Sequence, residues 1–280
     1  MNSYTTHLVK NEAESARLIH QERLVTQAMG GVFPPGVDLA KGHRLLDIGC
    51  SSGGWALEVA AQYPVEVIGI DLSPTKIEDA LVQAGVQQQQ RVSFEVMDAT
   101  QPLDFSSASF DLVNARFITG FMQQATWPML LTECRRVLKT GGVLQLSEME
   151  YGVSSSPALQ RLGGLLTEAL WRQGRAFSVD GRSVGITHRL GALMKEAGFH
   201  CIRAHPFVLD ASFEAALPVF LEQEYESTLR SLKPYFLRSG LVQEIEIDRL
   251  MEQMLQDIVQ QDFCGLTYGL IVLGINPAPC

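Results

Sequence analysis

Leu45-Leu46-Asp47-Ile48-Gly49-Cys50-Ser51-Ser52-Gly53-Gly54-Trp55 is the stretch that decides the fold. An apolar run with one acid feeds a turn without bulky side chains, and helix formers follow. Such a strand–turn–helix lets a ligand approach backbone N–H groups and the positive end of the helix. Working outward, the unit recurs. Val65 to Ile70 is a second β-branched run ending on Asp71, and Ser73-Pro74 provides an N-cap and a first-turn proline for a helix to about Ala84. Arg91 to Met97 alternates like a strand and ends at Asp98. Phe110 to Phe117 reads as a fourth strand, Trp127 to Lys139 as a helix closed by Gly141-Gly142, and Val143 to Met149 as a fifth strand. Strand and helix in alternation predict an α/β fold with a doubly wound, Rossmann-like parallel sheet.

Upstream, residues 11–29 are mostly helix formers, and Pro34-Pro35-Gly36 stops them. After Glu150 the rhythm breaks. Pro157 to Trp171 is an amphipathic helix with Leu159, Leu162, Leu166 and Leu170 on one side, and Gly174 to Gly185 is loop. Thr187 is placed to cap a helix to Ala197, Phe199 to Leu209 is strand-like, residues 213–262 form one long helical stretch, and Leu266 to Ile275 is a last strand. The division expected is a helical lid over residues 1–40 and a core over 41–150 continued by 187–208 and 265–280. Helical caps occupy 151–186 and 209–264.

Of 280 residues, 46% are hydrophobic and 19% charged, a balance that excludes wholesale disorder. The formal net charge of −9 argues against nucleic acid and anionic membranes as partners. Between Asp210 and Asp262, eleven acids face four bases, so that segment carries −7 of the total and the rest is nearly neutral. The acids read as the solvated side of the helical cap. Five scattered cysteines show no metal-site spacing and no disulfide framework. Met1-Asn2-Ser3-Tyr4 has neither the basic start nor the apolar stretch of a signal peptide, so a cytoplasmic protein is expected.

Five features in order make residues 41–150 resemble the class I S-adenosylmethionine-dependent methyltransferases. The first is Asp47-x-Gly49-x-Ser51-x-Gly53, followed by Asp71, Asp98, Phe110-Asp111-Leu112-Val113, and Arg135 to Gly142. By topology the resemblance extends to residues 187–208 and 265–280. It implies a seven-stranded sheet whose last strand is antiparallel and inserted near the fifth. The cofactor implied is S-adenosyl-L-methionine, and the function is methyl transfer to the carbon, oxygen or nitrogen of a small organic acceptor such as a secondary metabolite. Asp47, Gly49, Ser51 and Gly53 would shape its methionine end, Asp71 with Leu72 would hold the ribose, and Asp98 with Ala99 the adenine. Asn114 and Arg116 would face cofactor or acceptor, and Tyr4 would close the lid. For proton transfer the candidates are Glu148 and Glu150, which alternation puts on one face at the end of the fifth strand, and His188; of the two glutamates, Glu150 reads as a solvated loop carboxylate. No metal is implied, and a homodimer is compatible. Asn114-Ala115-Arg116-Phe117 lacks the Asn/Asp-Pro-Pro-Tyr motif of members that methylate amino groups of nucleic acids or proteins.

Ser51 departs from the family, which has glycine there, and so creates Gly49-x-Ser51-x-Gly53, the sequence of a nucleophile elbow. A serine hydrolase would recruit Asp180 with His188 or His205, but that reading leaves Asp71 and Asp98 without a purpose. A protein that binds the cofactor without transferring methyl is the other alternative.

Overall fold

A computed structural model describes residues 22–212 and 232–278. The core alternates β1 (Arg44–Ile48), α1 (Gly54–Gln62), β2 (Glu66–Asp71), α2 (Pro74–Val86), β3 (Val92–Val96), β4 (Phe110–Arg116), α3 (Trp127–Val137) and β5 (Leu138–Ser154). Then come α4 (Pro157–Arg172), α5 (Thr187–Glu196), β6 (His200–Asp210), α6 (Glu244–Asp257) and β7 (Gly265–Ile275). Residues 22–28 and 232–239 are also helical.

All seven strands form one sheet in the order β3-β2-β1-β4-β5-β7-β6. β3 through β5 are parallel, whereas β7 runs antiparallel to both β5 and β6. This is the sheet the sequence implies, with the last strand inserted beside the fifth. Parallel strands covered on both faces read as continuous apolar runs, and Leu45, Leu46 and Ile48 of β1 are fully buried. Strand order reverses between β2 and β4, on either side of β1. In open α/β sheets the crevice at the carboxyl edge of such a switch point is where ligands bind.

Local chemistry sets the helix starts. Ser73 Oγ accepts from Lys76 N–H, with Pro74 next to it, and Ser156 Oγ accepts from Leu159 N–H, with Pro157 next to it. α4 buries Leu162, Leu165, Leu166 and Leu170, and it packs against α6, whose Ile247 and Met254 are buried. Of the described acids in this cap, Glu246 pairs with Arg161, Glu244 and Asp248 pair with Lys233, and Asp257 turns inward to accept from Ser156 Oγ.

Three expectations need correction. The helical stretch 213–262 is not continuous: Gly240 sits at φ 68° and separates residues 232–239 from α6, while residues 213–231 lie outside the described part. β5 is longer than Val143 to Met149, because β7 supplies partners out to Ser154, across a register shift between Glu150 and Val153. Thr187 does not cap α5 with its own side chain; it donates to a carboxylate on β5 instead. Tyr4 and the first part of the expected N-terminal helix lie outside the described residues.

Gly53, at the junction between turn and α1, has φ 82°. A Cβ there would lie 2.5 Å from Phe94 Cζ and 3.2 Å from Ala80 Cβ. Gly53→Ala therefore combines a left-handed backbone penalty of roughly 1–2 kcal/mol with overpacking of about 1–3 kcal/mol. Its urea unfolding midpoint is expected to fall well below that of the parent chain. An unchanged midpoint would show that the turn relaxes freely.

Candidate active site at the carboxyl edge

The turn after β1 is held from β2. Gly49 N–H and Cys50 N–H both donate to Ile70 O, at 2.8 and 2.9 Å. Ser51 N–H donates to Asp71 Oδ2 at 3.0 Å, and Ser73 N–H donates to Asp71 Oδ1 at 2.9 Å. One carboxylate thus ties the turn to the start of α2. Each of its oxygens keeps a second lone pair, so the pair can still accept from two adjacent hydroxyls. Gly49 and Ser51 lie in the left-handed region at φ 70° and 51°. For a serine that conformation costs roughly 1–2 kcal/mol, a cost that glycine does not carry.

Beneath the turn runs a polar ladder across three strands. Asn114 Nδ2 donates to Asp47 Oδ1 at 2.7 Å, and Gln145 Nε2 donates to Asn114 Oδ1 at 3.0 Å. Register pairs these residues directly, Asp47 with Asn114 and Asn114 with Gln145, and all three are buried. Burial pushes the Asp47 carboxyl up to about 7, against the pull of Arg116 and of the Asn114 hydrogen bond. Facing it, Glu22 lies against the first residue of α1, so close that a side chain on Gly54 would strike its carboxylate. Burial raises the Glu22 carboxyl, opposed first by Arg116. Arg116 in turn donates from Nη1 to Thr26 Oγ1 at 2.9 Å.

A cavity of about 480 Å³, within the range of small-molecule sites, is lined by Glu22, Asp47, Gly49, Cys50, Ser51, Trp55, Asp71 and Arg116. Phe117, Phe121, Met149, Tyr151, Leu170 and Val184 line it as well, with Thr119, Gly120 and Glu148, and Phe121 comes close to the turn, since a Cβ on Gly49 would lie 3.3 Å from its Cζ. Glu148 Oε1 accepts from Thr119 N–H at 3.0 Å. Burial pushes its carboxyl up to about 8, opposed by the Thr119 and Ile118 donors and reinforced by Glu150.

Glu150 is not solvated. It is 3% exposed and accepts from Gly185 N–H at 2.8 Å, from Thr187 N–H at 3.2 Å and from Thr187 Oγ1 at 2.9 Å. It therefore fixes the loop carrying Val184 and takes the capping role expected of Thr187. His188 is exposed on the first turn of α5 and does not line the cavity, so the proton-transfer role expected of it has no geometric basis.

Other expected residues support the site from outside the cavity. Asn114 does not face a ligand; it is committed to the ladder under Asp47. Gly53 is packed under Phe94, Ala99 is buried, and Leu72 is exposed beside Asp71. Asp98 lies beyond β3, where its Oδ1 accepts from Thr100 N–H at 2.8 Å and Thr100 Oγ1 at 2.7 Å. Sequence reading missed Glu22, Trp55, Thr119, Phe121 and Tyr151. Thr119 and Phe121 follow directly on Asn114 to Phe117, so the end of β4 was the available signal.

Among the described residues no histidine lines the cavity, which removes the base a Ser51 nucleophile requires. His205 lies on β6, at the far edge of the sheet, and Asp180 is exposed in a loop beside Arg182. Nor do the described residues contain a group of three potential metal ligands, and none of their helices is long and apolar enough to cross a membrane.

Comparison with known proteins agrees with this geometry. Residues 45–142 match the family model described as a methyltransferase domain. The secondary metabolism regulator laeA of Coprinopsis cinerea is 24% identical over 278 residues, covering 91% of this chain and 66% of that protein. The 27-O-demethylrifamycin SV methyltransferase of Amycolatopsis mediterranei is 36% identical over 138 residues, covering 48% of this chain and 47% of that protein. The chain thus spans about half to two thirds of the length of these curated relatives. Among solved structures, phosphoethanolamine N-methyltransferase 2 of Haemonchus contortus, in complex with phosphomonomethylethanolamine and S-adenosylhomocysteine, superposes with a TM-score of 0.52. It is 22% identical, covering 86% of this chain and 50% of that one. The YcgJ protein of Bacillus subtilis gives 0.57 at 18% identity, covering 90% and 99%. At these identities the two structures establish the fold.

Two stability measurements test the buried polar groups. Asn114→Ala leaves Asp47 and Gln145 each short of a partner and is expected to lower stability by about 1–3 kcal/mol in urea unfolding. The Glu148 carboxyl lies above its unfolded value, so the native state keeps a proton that the unfolded chain has released. Its contribution is fully present below about pH 4.5 and is lost as pH rises through about 8. Glu148→Gln is expected to flatten that decline; a parallel decline in both proteins would show that Glu148 does not titrate abnormally.

Proposed function

We propose that this chain, which over residues 45–142 belongs to the class I S-adenosylmethionine-dependent methyltransferases, transfers a methyl group to a small organic acceptor. The observation that carries the reading is one cavity lined both by the Asp71-held turn and by buried Glu148. Relatives named for an O-demethyl substrate and for N-methylation both occur, so kinship alone leaves the accepting atom open.

The residues fit S-adenosylmethionine, which supplies a methyl group on a positively charged sulfur. A zwitterionic amino acid suits the end where Glu22 and Asp47 face Arg116, since both of its charges find opposite partners within one water-poor space. Gly49 and Ser51 bring backbone close without side-chain bulk, and Asp71 is free to accept two ribose hydroxyls. We place the adenine toward Leu72, Asp98 and Ala99, at the open side beyond Asp71.

Displacement at a methyl group needs alignment more than covalent help from the protein. Phe117, Phe121 and Tyr151 exclude water and confine the acceptor. Glu150 is a positioning residue: by holding Gly185 and Thr187 it sets Val184 over the cavity. Glu148 is placed to take the proton that an O–H or N–H acceptor must lose, and general bases of this kind contribute about 10²–10⁴-fold.

Calorimetric titration with S-adenosylhomocysteine tests the cofactor claim. Asp71→Ala is expected to weaken binding at least about tenfold, roughly 1.4 kcal/mol. Equal affinity in the parent and the variant, or none in either, would sink the assignment. For the proton-transfer role, kcat/KM is expected to rise with pH toward about 8, because only the ionised form of Glu148 accepts a proton. Glu148 faces the Thr119 and Ile118 N–H groups and its strand neighbours Glu150 and Tyr151. In Glu148→Gln both the rate and this pH dependence are expected to disappear while S-adenosylhomocysteine still binds.

A further inference from the structure

We propose that Arg175 is a positioning residue for proton transfer: by gripping Gly120 it holds the short turn Ile118–Gly120 where Thr119 donates to Glu148. The inference rests on the methyl-transfer reading, to which it adds a residue beyond both the cavity lining and the stretch that matches the family model.

The turn does not hold itself. Phe117, immediately before it, sits at φ 57° and ψ 33°, a left-handed conformation that a bulky side chain adopts only when its surroundings impose it. Inward the turn is well anchored: Ile118, Thr119 and Met122 are buried, and Phe117 N–H donates to Ser147 O at 2.8 Å. At Gly120 it is bare. That residue is exposed, and no atom of the described residues lies within 4 Å of where a Cβ would stand. Here Arg175 Nη1 donates to Gly120 O at 2.9 Å. A guanidinium is planar and rigid, so it fixes the direction of the carbonyl as well as its place. Gln124 adds a second tie to the same loop, its N–H donating to Gly174 O at 2.8 Å and its side chain to Ala176 O.

The loop that carries Arg175 reaches Glu148 from its other end too. It runs on to Gly185 and Thr187, which Glu150 holds, and Glu150 stands two residues from Glu148 on β5. The loop is thus tied on both sides of Glu148, with Val184 between the ties on the cavity wall. Glu148 itself faces the Thr119 and Ile118 donors from the turn and, on its own strand, Glu150 and Tyr151. Donors to a carboxylate favour its ionised form, so a turn that drifts outward leaves the proton more tightly held. A carboxyl that keeps its proton to higher pH is ionised, and so able to act as a base, in a smaller fraction of molecules near neutrality. Arg175 therefore reaches the chemistry through Gly120 and Thr119, from outside the cavity.

Carboxyl carbon-13 NMR titration of the glutamate-labelled chain reads the Glu148 midpoint directly, its resonance identified by its loss in Glu148→Gln. The parent midpoint is expected at about 8. Arg175→Ala is expected to raise it by about one unit, through weakening of a hydrogen bond to a charged group. Arg175→Gln keeps a donor within reach of Gly120 O without the charge, and is expected to reverse most of that rise. An unmoved midpoint in Arg175→Ala overturns the inference. A midpoint in Arg175→Gln equal to that in Arg175→Ala also overturns it, because charge rather than grip would then be responsible. The titration needs neither cofactor nor acceptor, so it decides what Arg175 holds even if the parent chain binds no S-adenosylhomocysteine, the outcome that sinks the methyl-transfer reading. Where the chain is active, the rise of kcat/KM with pH is expected to move with the Glu148 midpoint in each variant.

Discussion

The carboxylate of Asp71 accepts from Ser51 N–H on one oxygen and Ser73 N–H on the other, and the geometry of the site follows from that constraint. A turn carrying left-handed residues at Gly49, Ser51 and Gly53 is not a conformation the chain adopts without support. Here it is fastened three times to the end of β2, twice through Ile70 O and once through Asp71, whose other oxygen reaches the start of α2. Such fastening is possible only because β1 and β2 are parallel neighbours in register, Ile48 opposite Ile70. Sheet order, turn conformation and ligand edge are therefore one arrangement, and the strain at Ser51 is tolerated because the bonds around it leave no other conformation.

The site is also a concentration of groups that are unfavourable to bury. Asp47, Glu22, Arg116 and Glu148 line a space of about 480 Å³, and Glu150 is buried two residues from Glu148 on the same strand. Their treatment differs. Glu150 is satisfied by three donors from one loop and acts as a fastening. Asp47 is pinned by a ladder crossing β1, β4 and β5. Glu148 accepts from Thr119 N–H and lies on the cavity wall. Within a single strand, two residues apart and on the same face, one glutamate fastens a loop and the other borders the cavity.

Most of the core was legible because parallel strands buried on both faces write themselves as apolar runs, and their ends are marked by Asp47, Asp71 and Asp98. The strand order could be inferred only through resemblance, since no local signal says that β7 lies between β5 and β6. Glu150 was misread because alternation fixes the face of a strand residue but not what covers that face. The covering loop, Gly185 to Thr187, lies 35 residues away and has no periodicity. His188 failed for the converse reason: a histidine at a helix start has a plausible role only if the first turn faces the crevice, and that depends on how α5 docks. Glu22, from upstream of the sheet, reaches the turn across three-dimensional space alone.

The division of labour along the chain bears on why relatives with different acceptors share this core. The stretch matching the family model ends at residue 142. Of the lining residues, those from Asp47 to Phe121 lie inside it, whereas Glu22 and Val25 precede it and Glu148, Met149, Tyr151, Leu170 and Val184 come from later segments. Those segments pack on one another, α4 against α6 and Glu150 against the loop, rather than on the turn that Asp71 holds. Substitutions there can reshape the cavity wall without disturbing the contacts of Asp71, because residues that share no partners contribute nearly independently. Four of the described acids between Asp210 and Asp262 are engaged locally: Glu246 with Arg161, Glu244 and Asp248 with Lys233, and Asp257 with Ser156. Part of the chain's negative charge is thereby spent in fastening α6 to the helices beside it.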